Sequence, residues 1–142
     1  MLKAQIPPVR RITPAKWYPE HPETLGEHLW KARMERGVSR EGAAQVLGVG
    51  ITTLWSWEMG RTNVATRFLP KVLVFLGYDP RGEAGTLGGR IRMLRERQGI
   101  TQQALAERLG LDDSTVTEWE LDRVRRPFPK VQRRFEEFLA EG

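Results

Sequence analysis

From Thr24 onward, apolar and polar positions alternate with the period of short amphipathic helices. Leu25, Leu29 and Ala32 recur at i, i+4 and i+7, and Leu87, Ile91 and Leu94 repeat the stripe. Ahead of the first stripe, Thr24 offers a capping oxygen and Glu27 stands three residues on, the pattern of a capping box. Gly37 and Gly99 follow as stops, where a helix end needs a left-handed residue. Ser39 and Thr101 then stand where a second helix wants an oxygen acceptor. That helix is short and ends at Leu47-Gly48 and at Leu109-Gly110. Only Val49 and Gly50, or Leu111 and Asp112, separate it from a third helix that carries tryptophan. A fourth helix is predicted around 69–76 (Leu69, Val72, Leu73, Leu76) and around 129–139 (Val131, Phe135, Phe138, Leu139).

The pattern is written twice. Residues 25–61 align with 87–123 without a gap, and eleven of the 37 pairs are identical, among them Leu25/Leu87, Gly26/Gly88, Arg33/Arg95, Gly37/Gly99, Thr53/Thr115, Trp57/Trp119, Glu58/Glu120 and Arg61/Arg123. Two short helices joined by a tight turn at glycine, with an apolar residue just after it, form a helix-turn-helix pattern. The expected organisation is therefore an arm over 1–23, a first domain over 24–80, a linker over 81–86 and a second domain over 87–142. The low-pattern stretch "GYDPRGEAGT", 77–86, marks the joint, and prolines at 7, 8, 14, 19 and 22 keep the arm from forming a long helix.

Composition narrows the function classes. Hydrophobic content of 39% and charged content of 29% describe a soluble globular chain, with no apolar run long enough to span a bilayer. Absence of cysteine removes disulfides and thiolate metal sites and fits the cytoplasm. The net charge of +5 suits a polyanionic partner, and the arm is basic through Lys3, Arg10, Arg11 and Lys16 against Glu20 and Glu23. His21 and His28 have no metal-ligand partners nearby in sequence, and no nucleophile–base pair or phosphate loop is present. The expectation is a non-enzyme without cofactor, metal or small-molecule ligand.

The stretches "RMERGVSREGAAQVLGVGITTLWSWEMGRT" and "MLRERQGITQQALAERLGLDDSTVTEWELDR" resemble XRE/Cro-type helix-turn-helix domains, the fold of phage repressors. The second copy follows the family pattern more closely. The first departs from it at Arg40, where glutamine is common, and at "GIT" opening the third helix. The resemblance implies an all-α fold of two tandem lambda-repressor-like helix-turn-helix bundles behind a basic, Pro-rich arm. It further implies that the third helix enters the DNA major groove while the start of the second touches the backbone. An ion pair inside each domain, Arg33 with Glu58 and Arg95 with Glu120, is implied in the same way.

Helix geometry then sorts the side chains. Leu54 and Trp57 share a face, whereas Trp55 lies about 200° from Trp57 at about 100° per residue. With Leu54 and Trp57 turned inward, Ile51 and Trp55 face outward and Thr52 and Ser56 flank them. In the second copy Val116 and Trp119 face inward, leaving Asp113, Ser114, Thr117 and Glu118 outside. Trp57 and Trp119 are thus fold residues, and position 55 or 117 belongs to the surface where copies can diverge.

The candidate DNA-contact set follows. In the first copy it is Arg40, Ile51, Thr52, Thr53, Trp55, Ser56, Arg61 and Asn63. In the second it is Gln102, Asp113, Ser114, Thr115, Thr117, Glu118, Arg123, Arg125 and Arg126. Arg40 and Gln102 are expected at a phosphate, with an ordinary solvated side chain as the alternative. Arg61, Thr62 and Asn63, and the run Arg123–Arg126, are expected as backbone clamps, or simply a solvated face. Arg10 and Arg11 of the arm could enter a neighbouring minor groove; Trp17 and Tyr18 could instead pack the arm onto the first domain. The function expected is a sequence-specific DNA-binding transcriptional regulator, a repressor that occupies an operator in double-stranded DNA, with a homodimer as one allowed arrangement. The alternative is a protein-interaction module, an antitoxin or adaptor, in which one or both copies bind protein. Asp112, Asp113, Glu118, Glu120 and Asp122 point that way for the second copy, because carboxylates repel phosphates, although Asp or Glu can accept from cytosine N4. Two unlike reading surfaces on one chain, with a linker long enough to place both domains along one groove, favour an asymmetric operator over a palindrome.

Overall fold

The structure, a computed structural model, describes residues 18–142, and Arg10, Arg11 and Trp17 therefore lie outside the described residues. The fold is all-α. One compact unit ends at Pro80 and a second begins at Arg81. The first contains α1 (Leu25–Glu35), α2 (Arg40–Leu47), α3 (Ile51–Glu58), a 3-10 turn at Thr66–Phe68 and α4 (Leu69–Leu76). The second contains α5 (Leu87–Arg97), α6 (Gln102–Leu109), α7 (Asp113–Glu120) and α8 (Pro129–Ala140).

Local chemistry sets the helix limits. Thr24 and Ser39 accept from the amides of Glu27 and Gly42, and Thr86 and Thr101 accept from those of Gly89 and Ala104. The capping box at Thr24 closes differently from its usual form: the Glu27 carboxylate lies 3.5 Å from the Thr24 hydroxyl. At the C-terminus of α3 a left-handed Gly60 sends its amide to the Trp57 carbonyl, and Arg61 sends its own to Ser56. The second unit makes the same closure with a residue ill suited to it. Asp122 takes the left-handed conformation, φ 55°, and its carboxylate repays this by accepting the Gly88 amide at 2.9 Å.

Each unit has its own core. In the first, Leu29, Ala44, Leu47, Leu54, Trp57, Val72, Phe75 and Leu76 are buried together, with Trp57 tilted against Phe68. Phe75, not Leu73, supplies the large inward side chain of α4, because an eight-residue helix beginning at Leu69 turns positions 72, 75 and 76 inward. In the second, Ile91, Leu105, Ala106, Val116, Trp119, Phe135 and Phe138 do the same work, with Trp119 tilted against Phe135 at a centroid distance of 4.9 Å.

Glycine accounts for the closest approach in each unit. A Cβ placed on Gly26 would overlap the Trp57 carbonyl, and one on Gly88 would overlap the Trp119 carbonyl and reach within 2.7 Å of that of Glu120. The N-terminus of the first helix thus rests directly on the backbone at the end of the third, fixing how the tryptophan helix sits. Residues 81–86, expected as a linker, make bonds to α5: Arg81 pairs with Glu96 at 2.6 Å and Arg97 donates to the Gly82 carbonyl at 3.0 Å. The charged last turn of α5 provides partners for a loop whose backbone would otherwise have only water.

Two outcomes test this packing. Gly26→Ala should lower the stability of its unit by about 3 kcal/mol or more, as overpacking against unyielding backbone does, whereas Gly85→Ala, with open space around it, should change melting by no more than about 0.5 kcal/mol. Trp119→Ala should cost about 3–5 kcal/mol and Trp55→Ala very little; equal losses for the two tryptophans would disprove the assigned facing.

Candidate nucleic-acid interface

The interface begins with a buried ion pair that holds the third helix in place. Arg33, on α1, grips Glu58 at the end of α3 with a fork, Nε to Oε2 at 2.7 Å and Nη2 to Oε1 at 3.0 Å. Its remaining nitrogen, Nη1, donates to the carbonyl of Val38 at 3.0 Å, in the turn leading to α2. The second unit repeats the arrangement: Arg95 to Glu120 at 2.6 and 3.0 Å, and to the Ile100 carbonyl at 2.9 Å. One guanidinium therefore joins the first helix, the turn after it and the end of the third helix. Among the described residues no buried side-chain nitrogen or oxygen lacks a partner.

The fourth member of this cluster is where the copies diverge. In the first unit Arg40 opens α2 and places Nε 3.1 Å from Glu58 Oε1. In the second, Gln102 donates from Nε2 to Glu120 Oε1 at 2.8 Å and accepts the Thr117 hydroxyl at 2.9 Å. Both residues were expected at a phosphate; their sites lie at the mouth of the second helix, and each is already bonded to the buried glutamate. The shared position links the start of the second helix to the end of the third.

On the outer side of α3, Ile51, Thr52 and Thr53 are exposed and Trp55 and Ser56 half-buried, while Leu54 and Trp57 are buried. The helix has one carboxylate, Glu58, which is 1% exposed and turned into the ion pair. No acid therefore stands on its outward face. Arg61, just beyond the helix, folds back so that its Cζ lies 4.6 Å from the centroid of the Trp55 ring. Thr62 and Asn63 are exposed beside it.

The outer side of α7 is chemically different. Asp112, Asp113, Ser114 and Glu118 are exposed, Thr115 and Thr117 half-buried. The single proton of the Thr117 hydroxyl faces two acceptors, the Gln102 side-chain oxygen at 2.9 Å and the Asp113 carbonyl at 3.0 Å, and its lone pairs remain able to accept. Arg123 approaches Glu118 only at 4.0 Å, and Arg125 and Arg126 are exposed. Phe128 is 76% exposed, in the sequence slot that Leu69 fills as a buried residue in the first unit. With Ser114, Glu118, Trp119, Val124 and Val131 it lines a groove of about 290 Å³ along α7.

His28 donates to or accepts from the Tyr78 hydroxyl at 2.9 Å. Burial, with Lys31 nearby, holds its pKa below the ordinary histidine value. Three features were not foreseen from sequence: the Arg61–Trp55 stack, the Gln102–Thr117 bond and the Gly26 and Gly88 contacts. The identical pair Gly26/Gly88 was the visible signal of the glycine contacts; the other two rest on positions that differ between the copies, Trp55 against Thr117 and Arg40 against Gln102.

A family model described as a helix-turn-helix domain matches residues 24–84 and again residues 86–140. No solved structure matches the chain.

The ion pair gives an asymmetric expectation. Arg95→Met leaves Glu120 buried with only the neutral Gln102 beside it and should cost about 3–5 kcal/mol. Arg33→Met should cost less, because Arg40 still faces Glu58. Denaturant-dependent hydrogen exchange of amides in each unit reads the difference, and an equal cost at both sites contradicts the role given to Arg40.

Proposed function

The chain belongs to the helix-turn-helix domain family, a family of DNA-binding regulatory domains, and from that premise we propose that it is a sequence-specific transcriptional regulator of the repressor kind. The observation that carries this reading is the outward face of α3. Ile51, Thr52, Trp55 and Ser56 form a surface of apolar and hydroxyl groups without an acid, on a helix clamped at its far end and followed by Arg61. Hydroxyls can hydrogen-bond base edges, and apolar groups can meet thymine methyls, in a groove wide enough for a helix. Thr53 and Asn63 would then lie along the backbone flank, with Arg61 at the helix end beside them. Occupation of an operator would act sterically, by excluding polymerase.

The second copy has a reading of its own. Asp112, Asp113 and Glu118 oppose phosphates, so that copy would contact DNA only where a base such as cytosine donates its N4 amino group to a carboxylate. Its contact set would be Ser114, Thr115, Thr117, Glu118, Asp113, Gln102 and the arginines 123, 125 and 126. The exposed Phe128 and the groove beside α7 favour, for this copy alone, a protein partner instead. Because the two faces share almost no side chains, one chain using both prefers an asymmetric site; a homodimer using only the first copy prefers a palindrome.

Two measurements test the reading. Affinity for random duplex should fall steeply with salt, by roughly one log–log unit per phosphate contact; a flat profile removes DNA as the partner. Sites selected from a random pool should lose definition in one half with Thr52→Ala plus Ser56→Ala, each base contact being worth about 1–3 kcal/mol. Ser114→Ala plus Glu118→Ala should blur the other half, and an unchanged consensus there assigns the second copy to protein.

A further inference from the structure

Arg61 is held at both its backbone and its side chain. Its amide donates to the Ser56 carbonyl at 2.9 Å, and Gly60 before it takes φ 71°, which together pin its Cα to the end of α3. The side chain then returns along the helix to lie over Trp55, with Cζ 4.6 Å from the ring centroid. A guanidinium is attracted to the face of an indole, which is the best aromatic partner for a cation. Contact through the face leaves the N–H edges of the fork pointing away from the ring, and stacking prepays the side-chain entropy that a mobile arginine would lose on binding. Trp55 itself stands one helical turn after the exposed Ile51, on the acid-free outward face.

The second unit lacks the device at the matching positions. Thr117 replaces Trp55 and is bonded to Gln102, and Arg123 has the carboxylate of Glu118 as its neighbour at 4.0 Å. The stack is therefore a property of the first copy, added to a scaffold that does without it elsewhere.

We infer that Trp55 is a platform that presents the Arg61 guanidinium to a guanine in the major groove, so that Arg61 reads a base and does not merely clamp the backbone. The recognised chemistry is the O6 and N7 acceptor pair of guanine, which matches a bidentate arginine fork. Lysine carries the same charge without the planar fork, and phosphate clamping tolerates the exchange far better than base reading does. The inference rests on the proposed DNA-binding function and deepens it.

The test is site selection from a random duplex pool with the full chain, followed by affinities for the selected site and for random duplex. The wild-type consensus should contain a guanine whose preference Arg61→Lys weakens and Arg61→Ala erases, with the ratio of selected to random affinity in Arg61→Ala falling about tenfold or more. Trp55→Ala should weaken the preference at the same base position, Trp55→Phe should restore most of it, and the Arg61→Lys and Trp55→Ala effects should be non-additive. A uniform loss of affinity over all sequences in Arg61→Ala, with the consensus intact, overturns the inference while leaving DNA binding standing. Relaxation at different base positions in the two variants overturns the platform role of Trp55. A wild-type chain that selects no site overturns the functional reading, and the inference with it.

Discussion

Everything on the outward surface depends on one buried guanidinium in each unit. Arg33 and Arg95 each direct three hydrogen bonds inside the domain, two to the glutamate of the third helix and one to the turn after the first. The net stability gained this way is small or negative, since desolvating two charges offsets much of their attraction. What the pair provides is geometry. Removing either partner strands a buried charge, so the third helix cannot rotate or slide without a cost of several kcal/mol. Gly26 and Gly88 add the steric half of the same constraint, letting backbone meet backbone where any side chain would intervene.

A helix held so firmly at its inner end can change its outer face without consequence for the core. This is why Trp57 and Trp119 are the same and Trp55 and Thr117 are not. The divergence nevertheless reaches one layer inward, through the residue that opens the second helix. Arg40 brings a second cation to Glu58, while Gln102 brings a neutral amide to Glu120 and uses its oxygen to hold Thr117. In the first unit the fourth member of the cluster adds a second cation to a glutamate that Arg33 already neutralises; in the second it fixes a side chain of the outer face.

Much of this was legible in the sequence because it is periodic or punctuated. The helices, their caps at Ser39 and Thr101, the left-handed stops and the inward tryptophans all follow from spacing and residue type. Arg33–Glu58 and Arg95–Glu120 came from resemblance, since nothing in a separation of 25 positions specifies a contact. The inward place of Phe75 depends on where α4 starts, and the bonds of 81–86 to α5 and the return of Arg61 onto Trp55 rest on contacts that lie outside helical periodicity. Side chains that leave a helix end have no period to read.

The electrostatics of the two outer faces carry the argument one step further. A third helix with no outward carboxylate meets any duplex without repulsion, so its contacts add to a binding that phosphates already favour. A third helix with Asp112, Asp113 and Glu118 exposed meets every duplex with repulsion, and only a partner that satisfies those carboxylates removes the penalty. On the proposed reading, affinity therefore resides mainly in the first copy, while the second contributes by rejection: whatever it accepts, base or protein, it discriminates more sharply than it binds. The same scaffold thus supports attraction in one unit and exclusion in the other, and the difference lies in side chains that the buried arginines leave unconstrained.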